Sequence, residues 1–236
     1  MMKIKNIKDK LKELDYPVEK LILGDFDAIG EFTAKKSRNL DNPLYKTKGC
    51  FFRPNYERGL LIYSLIRKYN VRTYLEIGFG RGYSTFCAVK AMDDAGVLQD
   101  CKVTSIDPQF DRQHLQNLTR IFPQKWFEKI EFIESKSEDA VPTLGNYDMI
   151  YIDGDHTYNA VKKDWEMCSD KWNKVLLFDD YHLPTKSQKD IECARVIDQI
   201  NDYSKELIIM DRRVFLDDRG LSDEEIDYGQ VILTKE

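Results

Sequence analysis

The pattern of apolar and polar positions predicts strands and helices that alternate along most of the chain. Short apolar runs, typical of buried strands, lie at residues 73–77, 102–106, 129–133, 147–152, 174–178, 206–210 and 230–234. Apolar residues at helical spacing lie between them, at residues 56–68, 83–89, 111–121, 157–169 and 191–200. This alternation predicts an α/β fold with a doubly wound, seven-stranded, mostly parallel sheet, helices on both faces and an antiparallel last strand.

The N-terminal part of the chain has a different pattern. Ile4, Ile7, Leu11 and Leu14 lie three or four residues apart, which predicts a short amphipathic helix. Apolar residues have no regular spacing in residues 24–53, which predicts a loop of the length found in functional lids. A disordered connector is the alternative. We therefore predict an N-terminal helix and lid-like arm over residues 1–53 and the main domain over residues 54–236.

Composition excludes several kinds of partner. Asp and Glu outnumber Lys and Arg by 41 to 36, so the chain carries a net charge of −5 and is not expected to bind nucleic acid through bulk charge. It has no run of 18 apolar residues and no secretory signal, so no membrane partner is expected. The 5 cysteines form no CxxC pair, which indicates reduced thiols and a cytoplasmic location.

A glycine-rich turn follows the first predicted strand of the main domain. Gly78, Gly80 and Gly82 let the backbone turn sharply and let a ligand come close to the main chain at the start of a helix. Such a turn alone is a weak signal. Two acids strengthen it, because Glu76 ends the strand before the turn and Asp107 ends the next strand, where an acid can bind a ribose diol.

The strand, the G-x-G-x-G turn and the second acid resemble the first two motifs of class I S-adenosylmethionine (SAM)-dependent methyltransferases. The resemblance implies a Rossmann-like methyltransferase fold with SAM as cofactor. It implies that Asp107 binds the ribose hydroxyls of the cofactor. It also implies that Glu76 lies beneath the turn, near the methionine amine or the loop backbone. The turn residues that would line the cofactor are Gly78, Phe79, Gly80 and Gly82.

Carboxylates and histidines gather after two neighbouring predicted strands. The fourth strand is followed by Asp153, Asp155 and His156, and the fifth by Asp179 and Asp180. Ligands of open α/β sheets bind at this edge. Like charges repel there unless a hard cation with oxygen ligands relieves them. Capping of the helix after Asp155, or of a turn after Asp180, is the alternative explanation.

The segments IDGDHTY and LLFDD resemble those of the metal-dependent O-methyltransferases of the catechol and caffeoyl-CoA type, and of bacterial sugar and polyketide O-methyltransferases. The resemblance implies that Asp153, Asp179 and Asp180 bind a magnesium ion and that His156 is the general base. Asp153 also counts among the catalytic and the cofactor-binding residues. Further cofactor contacts fall on Tyr83 and Ser84, and Ser137 and Glu138 fall where the family holds the adenine.

The implied reaction is O-methylation of a hydroxyl on a small molecule or sugar. The metal would lower the pKa of the hydroxyl, and His156 would take its proton. Two other classes stay open, a nucleotide-dependent oxidoreductase of the NAD type and a non-catalytic domain with the same fold. Tyr83 stands where a dinucleotide fingerprint has its last glycine, which counts against NAD. A homodimer is left open.

Overall fold

One mixed sheet carries the predicted site. The computed structural model describes residues 2–15, 23, 56–183, 191–210 and 228–235. Eight strands of these residues form the sheet, in the spatial order β1-β7-β8-β6-β5-β2-β3-β4. The strands are β1 (Lys3–Asn6), β2 (Thr73–Ile77), β3 (Lys102–Asp107), β4 (Ile130–Glu134), β5 (Tyr147–Ile152), β6 (Trp172–His182), β7 (Ser204–Ile209) and β8 (Tyr228–Thr234). Among these eight described strands, only β8 runs antiparallel to its neighbours.

Helices cover both faces of the sheet. They are α1 (Ile7–Glu13), α2 (Tyr56–Lys68), α3 (Tyr83–Asp94), α4 (Arg112–Leu118), α5 (Gln124–Phe127), α6 (Ser137–Ala140), α7 (Tyr158–Cys168) and α8 (Cys193–Ile197). One core joins α1, α2 and α3 to the face that carries Tyr74, and a second joins α7 and α8 to the face that carries Leu75. Adjacent residues of β2 face opposite cores because side chains alternate across a strand.

The predicted α/β fold with a mostly parallel sheet and an antiparallel last strand is confirmed, with eight strands instead of seven. The additional strand is β1, which pairs in parallel with β7 at the edge of the sheet. The predicted N-terminal helix is wrong for its first turn, since Ile4 lies in β1 and is 61% exposed. Asn6 ends the strand and caps α1 by accepting a hydrogen bond from the Lys8 N–H.

Strand β6 is longer than predicted. Its parallel pairing with β5 ends at Phe178, where the sequence predicts the end of the strand. The antiparallel pairing with β8 continues to His182 across an irregularity between Phe178 and Tyr181. Asp179 and Asp180 therefore lie within β6 and not after it, and Asp180 has a positive φ of 50°. Antiparallel β8 supplies the partner that lets the strand continue.

Four of the five cysteines lie in the described ranges. Four thiols are free and buried, at Cys87, Cys101, Cys168 and Cys193. No helix among the described residues is long and apolar enough to span a membrane. The predicted lid-like arm over residues 24–53 lies outside the described residues.

Candidate active site

The glycine turn joins β2 to α3 at the carboxyl edge of the sheet. Gly78, Gly80 and Gly82 all have positive φ angles, of 93°, 52° and 80°, which favour glycine. A Cβ atom at Gly82 would lie 2.2 Å from the Phe79 ring, whereas one at Gly80 would meet no atom within 4 Å. The main chain at Gly80 is thus open on the side where a ligand could approach.

Asp107, the last residue of β3, lies beside this turn. One carboxylate oxygen accepts a hydrogen bond from the Gly80 N–H at 3.1 Å, and the other accepts one from the Gln109 N–H at 2.9 Å. Backbone donors therefore fix the carboxylate next to the open side of the turn. The ribose contact of Asp107 stays a prediction, and its position is suited to one.

Glu76 lies fully buried beneath the turn. Its carboxylate accepts hydrogen bonds from the hydroxyls of Ser84 and Thr85 in the first turn of α3, and Thr85 in turn bonds Ser105 at 2.6 Å. Burial raises the pKa of Glu76 to about 8, although the two hydroxyl donors lower it. Glu76 thereby links the end of β2 to the start of α3.

His156 lies between two carboxylates from different segments. Its Nδ1 is 3.2 Å from Oδ2 of Asp180, and its Nε2 is 3.6 Å from Oδ1 of Asp153. One ligand atom from each of the three residues falls within 4.8 Å of the others, a spacing at which a metal ion could be held. Burial would lower the pKa of His156, but the carboxylates outweigh it and raise the pKa to about 9.

Asp179 belongs to a second network of ion pairs and hydrogen bonds. Oδ2 of Asp179 pairs with the Arg58 guanidinium, and Oδ1 accepts a hydrogen bond from the Gln230 side-chain amide at 3.0 Å. Arg58 also donates to Oδ2 of Asp153 at 2.8 Å. The same oxygen of Asp153 accepts a hydrogen bond from the Tyr151 hydroxyl at 3.2 Å. Asp153 therefore belongs to both networks, whereas Asp180 belongs to the first and Asp179 to the second.

These environments shift the pKa values of the three carboxyl groups differently. Burial and the charge of Asp179 raise the pKa of Asp153. Burial, with the charge of Asp179, raises the pKa of Asp180 to about 6. For Asp179, burial is outweighed by the Arg58 charge and by hydrogen bonds, which hold its pKa below the usual value. Perturbed carboxyl groups gathered at one sheet edge are typical of functional sites.

Comparison with known proteins shows which family part of the chain is similar to. Residues 75–181 match the protein-family model described as a methyltransferase domain, and this segment runs from β2 through Asp180. Residues 75–181 carry a methyltransferase domain. The predictions of a SAM-dependent methyltransferase and of its class I fold are thereby confirmed. No match to the chain is found among curated proteins.

Solved structures share the fold of this methyltransferase at low sequence identity. The O-methyltransferase TomG from Streptomyces achromogenes, in complex with SAM, is 15% identical with a TM-score of 0.60, over 89% of this chain and 90% of that chain. The O-methyltransferase from Bacillus cereus, in complex with SAH, is 14% identical with a TM-score of 0.58 over 97% of each chain. A putative caffeoyl-CoA O-methyltransferase from Staphylococcus aureus is 19% identical with a TM-score of 0.53, again over 97% of each.

Two aromatic side chains of the methyltransferase turn face its interior. The Phe79 ring packs against Phe110 and Phe132, with ring centres 5.3 Å and 5.5 Å away. The Tyr83 ring packs edge-on against Tyr56 at 5.7 Å. A contact between either residue and the cofactor stays a prediction, as does the contact predicted for Ser84.

The adenine residues predicted from the resemblance lie at α6. Ser137 begins this helix and does not cap it, because the capping position is Lys136. The Ser137 hydroxyl donates to Asp164 at 2.6 Å, and Glu138 pairs with Lys163 at 2.7 Å. Both partners belong to α7, so the two predicted residues link α6 to α7. Their contact with adenine stays a prediction.

Thr157 holds the capping position of α7 and no side chain caps this helix, so the alternative explanation by capping is wrong for Asp155. Its carboxylate accepts a hydrogen bond from the Thr157 N–H at 2.9 Å, immediately before α7. His182 is buried and stacks on Tyr228 with ring centres 5.6 Å apart. Neither residue belongs to the cluster of Asp153, His156 and Asp180.

The sequence analysis did not identify three members of the second network, Arg58, Tyr151 and Gln230. Two signals were available. Arg58 lies in the first turn of α2, where the helix dipole disfavours a cation unless an anion lies near. Gln230 is a fully buried amide in the apolar strand β8, and a buried amide requires hydrogen-bond partners.

Proposed function

We propose that this methyltransferase transfers the methyl group of SAM to a hydroxyl oxygen of a small molecule or sugar, with His156 as general base. The observation that carries the proposal is the position of His156. Its ring lies between Asp153, which directly follows β5, and Asp180, which lies within β6. The O-methyltransferases that share the fold, two of them in complex with SAM or SAH, support an oxygen acceptor.

The proposed cofactor position follows from the turn and the acid beside it. SAM, when bound, supplies an electrophilic methyl group on a sulfonium centre. The open side of Gly80 admits the cofactor close to the main chain, and Asp107 accepts hydrogen bonds from its ribose hydroxyls. Asp153 borders the same turn, because its carbonyl oxygen lies against Gly78.

His156 carries the proton transfer in this proposal. The neutral ring accepts the proton of the substrate hydroxyl as the oxygen attacks, and Asp153 and Asp180 hold the imidazolium that forms. A conjugate acid with a pKa of about 9 makes the neutral ring a stronger base than an ordinary histidine. The same pKa leaves most rings protonated at neutral pH, so a minority form acts. Alignment of the hydroxyl with the methyl group contributes most of the remaining rate gain.

Magnesium on Asp153, Asp179 and Asp180 does not fit this arrangement. Mg²⁺ keeps several waters when it binds to proteins, and the Asp179 side chain is only 1% exposed. Both Asp179 oxygens already have partners on the protein. The set Asp153, His156 and Asp180 has the spacing for a cation but would take the base as a ligand. No step of the proposed reaction therefore uses a metal.

The experiment that tests the proposal is calorimetry of the full chain with SAM and with S-adenosylhomocysteine, followed by a methylation assay. We expect micromolar binding of both, and release of S-adenosylhomocysteine with at least one compound in a panel of phenols and sugars. Binding without turnover on any hydroxyl would contradict the O-methylation proposal. If neither compound binds, the cofactor assignment fails and a non-catalytic role replaces it.

A further inference from the structure

Arg58 introduces a charge where the resemblance expects a metal ion. It lies in the first turn of α2, a helix whose other residues from Tyr56 to Ile66 are buried. Its two terminal nitrogens contact carboxylates from two neighbouring strands, Oδ2 of Asp153 at 2.8 Å and Oδ2 of Asp179. The guanidinium is thus a bridge between the end of β5 and an inner position of β6.

This bridge places one positive charge in contact with both carboxylates and offsets one of their two negative charges. A guanidinium is planar and permanently charged, and it is hydrated more weakly than a small divalent ion. It can therefore pair with a carboxylate such as Asp179, whose side chain is 1% exposed, without carrying water into the site. A divalent ion placed between the same oxygens would also lie against the positive charge of Arg58 and be repelled.

The bridge also acts on the proposed base. Arg58 and Tyr151 both bind Oδ2 of Asp153, which leaves Oδ1 facing Nε2 of His156 at 3.6 Å. Gln230 binds the Tyr151 hydroxyl at 3.1 Å and Oδ1 of Asp179 at 3.0 Å, which closes the network below the site. Arg58 is thus a positioning residue for Asp153.

We propose that Arg58 is the resident cation of this site, taking the place between Asp153 and Asp179 that the resemblance gives to magnesium, so that the site needs no divalent ion. This inference rests on the proposed function for the role of the site, but its test does not. Removal of the guanidinium should turn Asp153 and Asp179 into an unpaired acidic pair that attracts a divalent cation.

The test compares Mn²⁺ binding by the full-length wild type and by Arg58→Met, using calorimetry and thermal unfolding. The wild type should bind no Mn²⁺ saturably at millimolar concentration, and EDTA should not change its melting temperature. Arg58→Met should gain a site of roughly millimolar affinity or better. Saturating Mn²⁺ should then raise its melting temperature by about 5 °C.

Three further variants make the result specific. Arg58→Lys keeps the charge and should stay insensitive to Mn²⁺. Arg58→Met/Asp179→Asn removes the acidic pair and should lose the gain. Arg67→Met removes an exposed arginine from the same helix and should match the wild type.

Two results would overturn the proposal. One is saturable Mn²⁺ binding by the wild type that disappears in Asp179→Asn or Asp180→Asn. The other is a folded Arg58→Met that binds no more Mn²⁺ than the wild type. Should Arg58→Met not fold, the wild-type measurement alone decides, because saturable binding contradicts the proposal and its absence supports it. SAM binding by the wild type is measured in parallel, and its loss would defeat the proposed function while leaving the metal result intact.

Discussion

Gly78 lies against the carbonyl oxygen of Asp153, so closely that a Cβ atom at Gly78 would stand 2.0 Å from that oxygen. The contact joins the glycine turn after β2 to the segment after β5 that carries His156. The Asp153 N–H donates to the Ile77 carbonyl at 2.9 Å, which fixes the same approach from the other side. The proposed cofactor and base regions are therefore held together by main chain.

Gly78→Ala should be far more damaging than Gly80→Ala. Both residues have positive φ, which costs an alanine about 1–2 kcal/mol. Gly78→Ala also drives its methyl group into the Asp153 backbone, whereas Gly80→Ala meets no atom within 4 Å. We expect urea unfolding to give a loss of about 1–2 kcal/mol for Gly80→Ala and a loss of about 4 kcal/mol or more for Gly78→Ala.

The same pair of variants tests the cofactor position. Gly80→Ala fills the open side of the turn, so its affinity for SAM should fall by more than its small loss of stability explains. Equal stability losses in the two variants would contradict the packing described for Gly78. Unchanged SAM affinity in Gly80→Ala would contradict the approach of the cofactor at Gly80.

His156→Ala should remove most methyl transfer while it leaves SAM binding intact. Loss of a general base lowers kcat by about 10²–10⁴-fold. The measurement is release of S-adenosylhomocysteine with the best hydroxyl compound of the panel, beside calorimetry with SAM. His156→Gln, which keeps polarity but accepts no proton at neutral pH, should be as slow. A wild-type rate in either variant would rule out His156 as the base.

Asp107→Ala should weaken SAM binding without loss of fold. The carboxylate is positioned by the Gly80 and Gln109 N–H groups for a ribose diol, and a hydrogen bond to a charged group contributes about 1.5–3 kcal/mol. We expect the Kd for SAM to rise about 10- to 100-fold in calorimetry. Glu134→Gln is the matched control, because Glu134 lies opposite Asp107 on β4 and is exposed. Equal effects of the two changes would indicate bulk charge and not a ribose contact.

Glu76 should make the protein less stable as the pH rises. Its pKa is raised from 4.5 in the unfolded chain to about 8 in the folded protein, so the folded state binds more protons between these values. The free energy of unfolding should then fall with pH across this window, by up to about 1.4 kcal/mol per pH unit from this group. Glu76→Gln cannot ionise and should lose this part of the slope.

The measurement for Glu76 is urea unfolding of both proteins at several pH values between 5 and 8. The informative quantity is the difference between wild type and Glu76→Gln, because other carboxyl groups with raised pKa, such as Asp164, contribute equally to both. A difference that does not vary with pH would show that Glu76 ionises normally in the folded state.

Apolar runs made the central strands predictable to the residue. β2 and β5 are flanked by strands on both sides, so their apolar content marks their full length, and both have the predicted bounds. β1 lies at the sheet edge with exposed and half-buried residues, and Ile4 fits a helical spacing equally well. β6 extends beyond its apolar run because the additional residues pair with β8. The local sequence of β6 contains no signal of that pairing.

The acids and histidine of the site could be predicted because they follow apolar runs in the sequence. The pairing of Arg58 could not, because its partner Asp153 lies 95 residues further along the chain. The network that joins Asp153 to Asp179 depends on that pairing and on Gln230. Local patterns therefore identify which side chains reach the sheet edge, and tertiary contacts decide which of them meet.

Strand β8 has a consequence for how the enzyme is made. It lies between β6 and β7 in the sheet, although its residues 228–234 follow both in the chain. It also supplies Gln230 to Asp179 and pairs with the part of β6 beyond Phe178. During translation, Asp179 and Asp180 of β6 therefore lack their neighbouring strand until residues 228–234 have left the ribosome. A nascent chain halted before β8 would expose an unpaired strand edge and lack an assembled site, so activity begins only after release of this segment.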